Sequence, residues 1–468
     1  MREVTVTNSP AESGGWPQDR ELLLVDGENT AHLRSRVAYL AELSGRLAPA
    51  EFGLLAATLQ RRLAGRPTRA AVVAASAEQA CERFARLLAL LDGASGAGLD
   101  GACGAGLGGA SGPGGDAGAS AAIDATAGVF LGQGSRTPSI GFLFPGQGSG
   151  KGHDGGALAR RFDTVGELYR TVTLPACDDP AATIVAQPRI TRYSVAGLRV
   201  LSLLGIQAVA AAGHSLGELC ALHWAGAMTE AELFALAAER GRVMMHASEG
   251  GGAMAGIGAD PDVVETLIGG EPVVIAGYNG PGQTVIAGPA QAIERVRETA
   301  AAAGVKTAKI PVSHAFHSPA VAPAAAELDR YLAGRRFRPL ARCVLSTMTG
   351  DVLPADTDLR QLLVRQVREP VRFSQAVNRM APGVDLLIEV GPGRVLSGLA
   401  ARITPDTPVI PLSTDSPSLS GVLCAAAAAY VLGMGVRHDR LMAGRPATML
   451  TLAEESWSGL VSEGAFDP

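Results

Sequence analysis

A chain of 468 residues exceeds what one hydrophobic core serves, so two or three domains are expected. Hydrophobic residues at 47% and charged residues at 18% exclude a wholly disordered chain, and a net charge of −5 leaves no basic footprint for nucleic acid. Cys81, Cys103, Cys177, Cys220, Cys343 and Cys424 are scattered without a Cys-x-x-Cys pair, which argues against a metal site and against a disulfide framework. The first residues lack the apolar run of a signal peptide, and the apolar stretch 423–436 is too short to span a bilayer and reads as a buried helix. A cytoplasmic protein without membrane or nucleic-acid partners is expected.

In chain order, residues 1–19 are polar and read as frayed. Residues 21–25 read as a strand, and Thr30 as the N-cap of a helix carrying Leu33, Val37, Leu40, Leu43 and Leu47. A helix at 51–63, a strand at 69–75 and a helix at 78–91 complete an α/β unit with no obvious chemical residue. From 92 to about 126 the chain is Gly, Ala and Ser with almost no large apolar side chain. Such a segment buries too little to offset the entropy of ordering, so 93–137 is expected to be a flexible insertion, with order resuming around 128–132.

The strand 140–144 ends in Pro145-Gly146-Gln147-Gly148-Ser149. Parallel strands that end in glycine turns bring those turns to one sheet edge, which puts Gln147 near whatever the next strand presents. That strand, 206–212, follows a helix at 189–204 and runs into Gly213-His214-Ser215-Leu216-Gly217. Gly-x-Ser-x-Gly between strand and helix is the nucleophile-elbow pattern, with Ser215 at the tip beside free helix N–H groups. The same five residues also suit an ordinary tight turn. Thr229 and Glu232 form a capping box, and the helix they start carries Leu233, Leu236, Ala237, Arg240 and Met244 on one face. Arg240 thus projects from an apolar stripe, while Arg242 points elsewhere. A buried cation needs an anion, either a structural carboxylate or a ligand carboxylate held in bidentate fashion.

Residues 252–311 read as β-α-β-β-α-β, the ferredoxin-like order, with Asn279-Gly280-Pro281-Gly282 as the middle hairpin. The chain leaves this unit through His314-Ala315-Phe316-His317, where either histidine could act as general base. A helix at 358–367 carries Gln366. The strand 386–390 leads into Gly391-Pro392-Gly393, better read as a tight turn than as a nucleotide loop. After residue 413 one apolar helix, 419–432, carries no motif.

Together the stretches Phe144 to Ser149, Gln187-Pro188, Gly213 to Glu218, Arg240-Gly241-Arg242, Asn279 to Gln283, His314 to Pro319, Arg365-Gln366 and Glu389 to Gly393 resemble the malonyl-CoA:acyl carrier protein acyltransferase family over residues 138–412. The likeness is to acyltransferase domains of type I polyketide synthases, and Leu222 to Gly226 is similar to the iterative enediyne type. The resemblance implies an α/β-hydrolase-like subdomain with a parallel sheet (138–251 and 318–412), an inserted ferredoxin-like subdomain (252–317), and a ketosynthase-to-acyltransferase linker-like α/β subdomain ahead of them (20–92). Residues 413–468 would form a C-terminal linker helix.

It further implies Ser215 as nucleophile, His317 as base, and the backbone N–H groups of Gln147 and Leu216 as oxyanion hole. Arg240 would hold the malonyl carboxylate, with Gln366, Asn279 and His314 around the substrate and Phe316 filling the space of an α-methyl. No tightly bound cofactor is implied. Malonyl-CoA is the expected substrate, and an acyl carrier protein bearing phosphopantetheine the expected partner, with a neighbouring ketosynthase in a longer parent synthase. Gly150 and Leu219 depart from the family pattern, where glutamine and tyrosine are usual. Two alternatives share the elbow: a serine esterase or thioesterase, in which water takes the acyl group, and a silent domain that only docks a carrier protein.

Overall fold

The apolar runs near the start become paired antiparallel strands, Glu21–Gly27 and Thr68–Ala74, in the computed structural model. The described residues are 18–94, 120–134, 136–150, 154–175, 179, 182–246, 252–312, 314–445, 448–453 and 457. Alternate residues of these strands enter two different cores: Leu22, Leu24, Ala71 and Val73 on one face, Leu23, Val25, Ala70 and Val72 on the other. Burial on both faces is why the sequence here is continuously apolar instead of alternating. Helices Thr30–Ser44, Pro49–Arg61 and Ala77–Ala94 cover the outer face.

Two expectations for this region are corrected. The cap of the first helix is Asn29, whose side chain accepts from His32 N–H, rather than Thr30. The segment 93–137 is not all insertion: Ser120–Asp124 and Val129–Gln133 are strands that complete the sheet, in the order 21–27, 68–74, 129–133, 120–124. Alanine gives Ser120–Asp124 little strand signal of its own, and the backbone ladder to Val129–Gln133 supplies what propensity does not. Residues 1–17 and 95–119, expected to be frayed and flexible, lie outside the described residues.

The central sheet is five-stranded and parallel, in the order Cys343–Leu345, Ala210–Gly213, Ile140–Phe144, Leu386–Glu389, Val409–Pro411. The turns bearing Gln147, Ser215 and Gly391 therefore leave three adjacent strands at the same edge. The ferredoxin-like sheet is antiparallel, with strands Gly252–Ile257, Val274–Gly280, Gln283–Pro289 and Thr307–Ile310 in the spatial order fourth, first, third, second. Helices Pro261–Ile268 and Ala290–Ala302 pack on one of its faces, around Val264, Ile286, Ile293 and Val296. Its other face turns towards the parallel sheet's loop edge, and Tyr278 N–H donates to Val371 O across the junction.

The helix Ser420–Val431 is more than a linker. From Val422 to Val431 every residue is buried, and the helix lies between the first sheet and the parallel sheet. A side chain at Gly132 would meet Val431 O at 2.3 Å, and one at Gly421 would meet Leu412 O at 2.2 Å, so both sheets approach the helix backbone directly. The missing side chains of Gly132 and Gly421 allow that approach. Among the described residues no helix is long and apolar enough to cross a membrane.

Candidate active site

Ser215 sits at φ 51°, a left-handed conformation that a non-glycine residue adopts only when its surroundings impose it. The flanking glycines impose it by contact. A Cβ on Gly217 would lie 2.0 Å from Phe144 O, and one on Gly213 would lie 2.1 Å from the Gly217 carbonyl carbon. The strand and helix thus pass closer than any other residue permits, and the serine is turned outward.

Ser215 Oγ lies 2.8 Å from His317 Nε2. His317, itself at φ 57°, donates from Nδ1 to the backbone carbonyl of Glu369 at 2.9 Å. The Glu369 carboxylate is elsewhere, paired with Arg365. The carbonyl fixes the tautomer, leaving the Nε2 lone pair towards the serine. Burial, then the charge of Arg240 and then His214, push the His317 pKa down to about 3. The imidazole is therefore neutral at physiological pH and able to take the Ser215 proton.

Arg240 is 1% exposed and belongs to the helix Glu230–His246, started by the Thr229–Glu232 box. One terminal nitrogen donates to Gln187 Oε1 at 3.0 Å; the other donates to Gln366 Oε1 and to Ser215 Oγ, each at 3.2 Å. Its Nε is buried without a partner. Among the described residues no carboxylate lies within ion-pair distance of it. Burial lowers its pKa to about 10, opposed by the charge of Glu218, so it remains a cation at neutral pH. Arg242 instead pairs with Glu239 and Glu327.

A cavity of about 310 Å³ joins Ser215, His317, Arg240, Gln147, Phe316 and Asn279. Its far wall is the ferredoxin-like sheet, through Met254, Gly256, Ala276, Val285, Ala308 and Ile310. Among the described residues, nothing accepts a hydrogen bond from the backbone N–H of Gln147 or of Leu216, the residue that opens the helix Gly217–Trp224. Asn279 Oδ1 receives the Nε2 proton of His214, which ties the small sheet to the elbow.

Two residues expected around the substrate do not line this cavity. His314 lies behind Phe316, stacked on its ring at 5.5 Å and bonded from Nε2 to Met245 O at 3.0 Å. Gln366 lies behind Arg240, its Nε2 donating to Ser215 O at 3.1 Å and to Glu218 Oε2 at 2.7 Å. Both shape the wall from the second layer. Gln187 and Glu218 were not singled out for this network. The available signal for both is that they lie in stretches that carry the family resemblance, Gln187-Pro188 and Gly213 to Glu218.

The acyl transferase domain family matches residues 174–404. The malonyl CoA-acyl carrier protein transacylase of Bacillus subtilis is 36% identical over 285 residues, covering 56% of this chain and 90% of that protein. The polyketide synthase GfsB of Streptomyces halstedii is 33% identical over 355 residues, 70% of this chain but only 6% of that much longer protein. A solved acyltransferase domain, from the iterative polyketide synthase in enediyne biosynthesis, superposes with a TM-score of 0.74 at 33% identity, covering 91% of this chain and all of that one. A catalytic-type Ser–His pair, a buried arginine on one cavity and these likenesses lead to one conclusion: the chain belongs to the acyl transferase domain family, the transferases that include the malonyl CoA-acyl carrier protein transacylases and the acyltransferase domains of polyketide synthases.

Proposed function

We propose that this chain transfers a malonyl unit from malonyl-CoA, through an acyl ester on Ser215, to the phosphopantetheine thiol of an acyl carrier protein during polyketide synthesis. The observation that carries this reading is Arg240: a buried cation with no carboxylate in ion-pair distance among the described residues, opening onto the cavity of the Ser215–His317 pair. A free carboxylate at the far end of the acyl group supplies the missing anion.

In the first half-reaction His317 Nε2 takes the Ser215 proton as Oγ attacks the thioester carbonyl. The N–H groups of Gln147 and Leu216 stabilise the oxyanion, and collapse expels the CoA thiolate, which takes the proton back from His317. The carrier's thiol then attacks the acyl-serine by the same steps in reverse. His317 is oriented by a carbonyl instead of a carboxylate, as a base needs orientation but not a third charge. Phe316, a buried cavity-lining residue stacked on His314, is the wall that in this reading excludes an α-methyl and favours malonyl. The transfer proposed needs no bound cofactor; CoA and phosphopantetheine arrive with substrate and partner.

The test is mass spectrometry of the Ser215 peptide after brief exposure to malonyl-CoA and methylmalonyl-CoA in competition. A malonyl adduct that is absent in Ser215→Ala is the expected result. Steady CoA release without an adduct would favour a hydrolase; neither adduct nor release would favour a docking-only domain.

A further inference from the structure

Two glutamine side chains hold Arg240, and a guanidinium has only donors to offer them. Each glutamine must therefore turn its oxygen to the arginine, and something must keep it so. For Gln187 the partners of Nε2 are Gln147 Oε1 and Met244 Sδ, both at 3.3 Å. For Gln366 there is a much shorter bond, 2.7 Å to Glu218 Oε2.

Glu218 is the residue that follows the elbow motif, in the first turn of the helix Gly217–Trp224. It is 0% exposed, and among the described residues no lysine or arginine lies within ion-pair distance of it. Burying a carboxyl group without a cation is costly, and an apolar residue of the same size would pack there more cheaply. Thr347 Oγ1 is 3.3 Å from Glu218 Oε2, but its single proton also faces Gly213 O at 2.9 Å, so it is the weaker partner. The Ser346 side chain also hydrogen-bonds the Glu218 carboxyl, but the contact that leads to the arginine is the 2.7 Å bond from the Gln366 amide.

We infer that Glu218 is a positioning residue for recognition of the acyl carboxylate: its Oε2 fixes the Gln366 amide with Oε1 towards Arg240, and so holds the guanidinium facing the cavity. Without that acceptor only the longer bond from Nε2 to Ser215 O, 3.1 Å, opposes rotation of the amide by half a turn, which sets its NH₂ against the guanidinium, donor against donor. The arginine then loses one of its two amide supports. An acyl group with a free carboxylate depends on that support; an acetyl group, which has none, does not. The inference rests on Arg240 receiving the malonyl carboxylate.

The experiment measures Ser215 loading of the full chain by intact mass after rapid quench, with malonyl-CoA and acetyl-CoA, and compares the malonyl-to-acetyl ratio of kcat/KM. Glu218→Met removes the acceptor and is expected to lower the ratio about tenfold or more, the worth of one hydrogen bond to a charged group. Glu218→Gln keeps an oxygen of the same reach and is expected to restore the ratio to within about threefold of the starting protein. A merely structural role lowers both substrates together and leaves the ratio alone. An unchanged ratio in Glu218→Met, or a ratio in Glu218→Gln as low as in Glu218→Met, overturns the inference. If Glu218→Met does not fold, Gln366→Met cuts the same link from its other end and must lower the ratio likewise; an unchanged ratio overturns the inference there too. Arg240→Ala separates the two levels. If it leaves the ratio unchanged, carboxylate recognition by Arg240 is wrong and the inference falls with it. If it collapses the ratio while Glu218→Met does not, only the role of Glu218 fails.

Discussion

Acid conditions are expected to leave the loading reaction intact far below the pH at which an ordinary histidine is protonated. His317 is buried and lies near the Arg240 cation, and these together hold its pKa down at about 3 against the usual 6.5. At pH 5.0 a histidine of pKa 6.5 is about 3% neutral, whereas one near 3 is about 99% neutral. The rate of Ser215 acylation at pH 5.0 should therefore stay within about twofold of its value at pH 7.5, where an unperturbed base would cost about thirtyfold.

The sign for stability is opposite. The unfolded chain binds a proton at 6.5 and the folded one only near 3, so stability is fully present above 6.5 and is lost progressively as the pH falls towards 3. The assay is accordingly a pH jump: protein held at pH 7.5, mixed with malonyl-CoA into buffers from pH 4.5 to 8, and quenched within milliseconds for intact mass. An acid limb with a midpoint between 6 and 7, on protein that recovers full activity on return to pH 7.5, would refute the argument. Arg240→Ala removes one of the two largest causes of the depression, so any residual acyl transfer by that variant should show its acid limb at higher pH.

Arg240→Ala should also lower kcat/KM for malonyl-CoA by about a hundredfold or more, since it leaves the acyl carboxylate buried without a cation, while acetyl-CoA loading falls far less; steady-state competition between the two reads this directly. Phe316→Ser should raise the methylmalonyl-to-malonyl loading ratio by about tenfold, the scale of one methyl group admitted or refused, and an unchanged ratio would remove Phe316 as the wall. Glu389 accepts from Leu396 N, Ser397 N and Ser397 Oγ at the start of the helix Val395–Ile403. Glu389→Ala should cost about 1–3 kcal/mol in urea unfolding through those orphaned donors. Ala427→Asp places a charge inside the helix that both sheets share, where Ala427 is fully buried, and should abolish the cooperative unfolding transition.

Much of the site was legible because its parts are local. The elbow is five consecutive residues whose glycines admit one kind of turn, and the Thr229–Glu232 box with its apolar stripe fixes which way Arg240 faces. The β-α-β-β-α-β order is likewise written in consecutive patterns. Local patterns failed where stabilisation comes from elsewhere. Ser120–Asp124 is too poor in large apolar residues to announce a strand, and the helix Ser420–Val431, legible as buried, carries no local sign that it joins two sheets.

The amino-acid sequence by itself determined which residues could do chemistry and the turns that present them. Only the tertiary structure decided which of them meet. Ser215 reaches His317 across 102 residues and Arg240 reaches Gln366 across 126, through the common edge of three parallel strands and the closing face of an inserted sheet. It also separated His314 from the cavity and brought Glu218 to Gln366. The reason is physical: a turn is specified by the torsions and contacts of adjacent residues, whereas the burial of a charge and the choice of its partner depend on how whole elements pack.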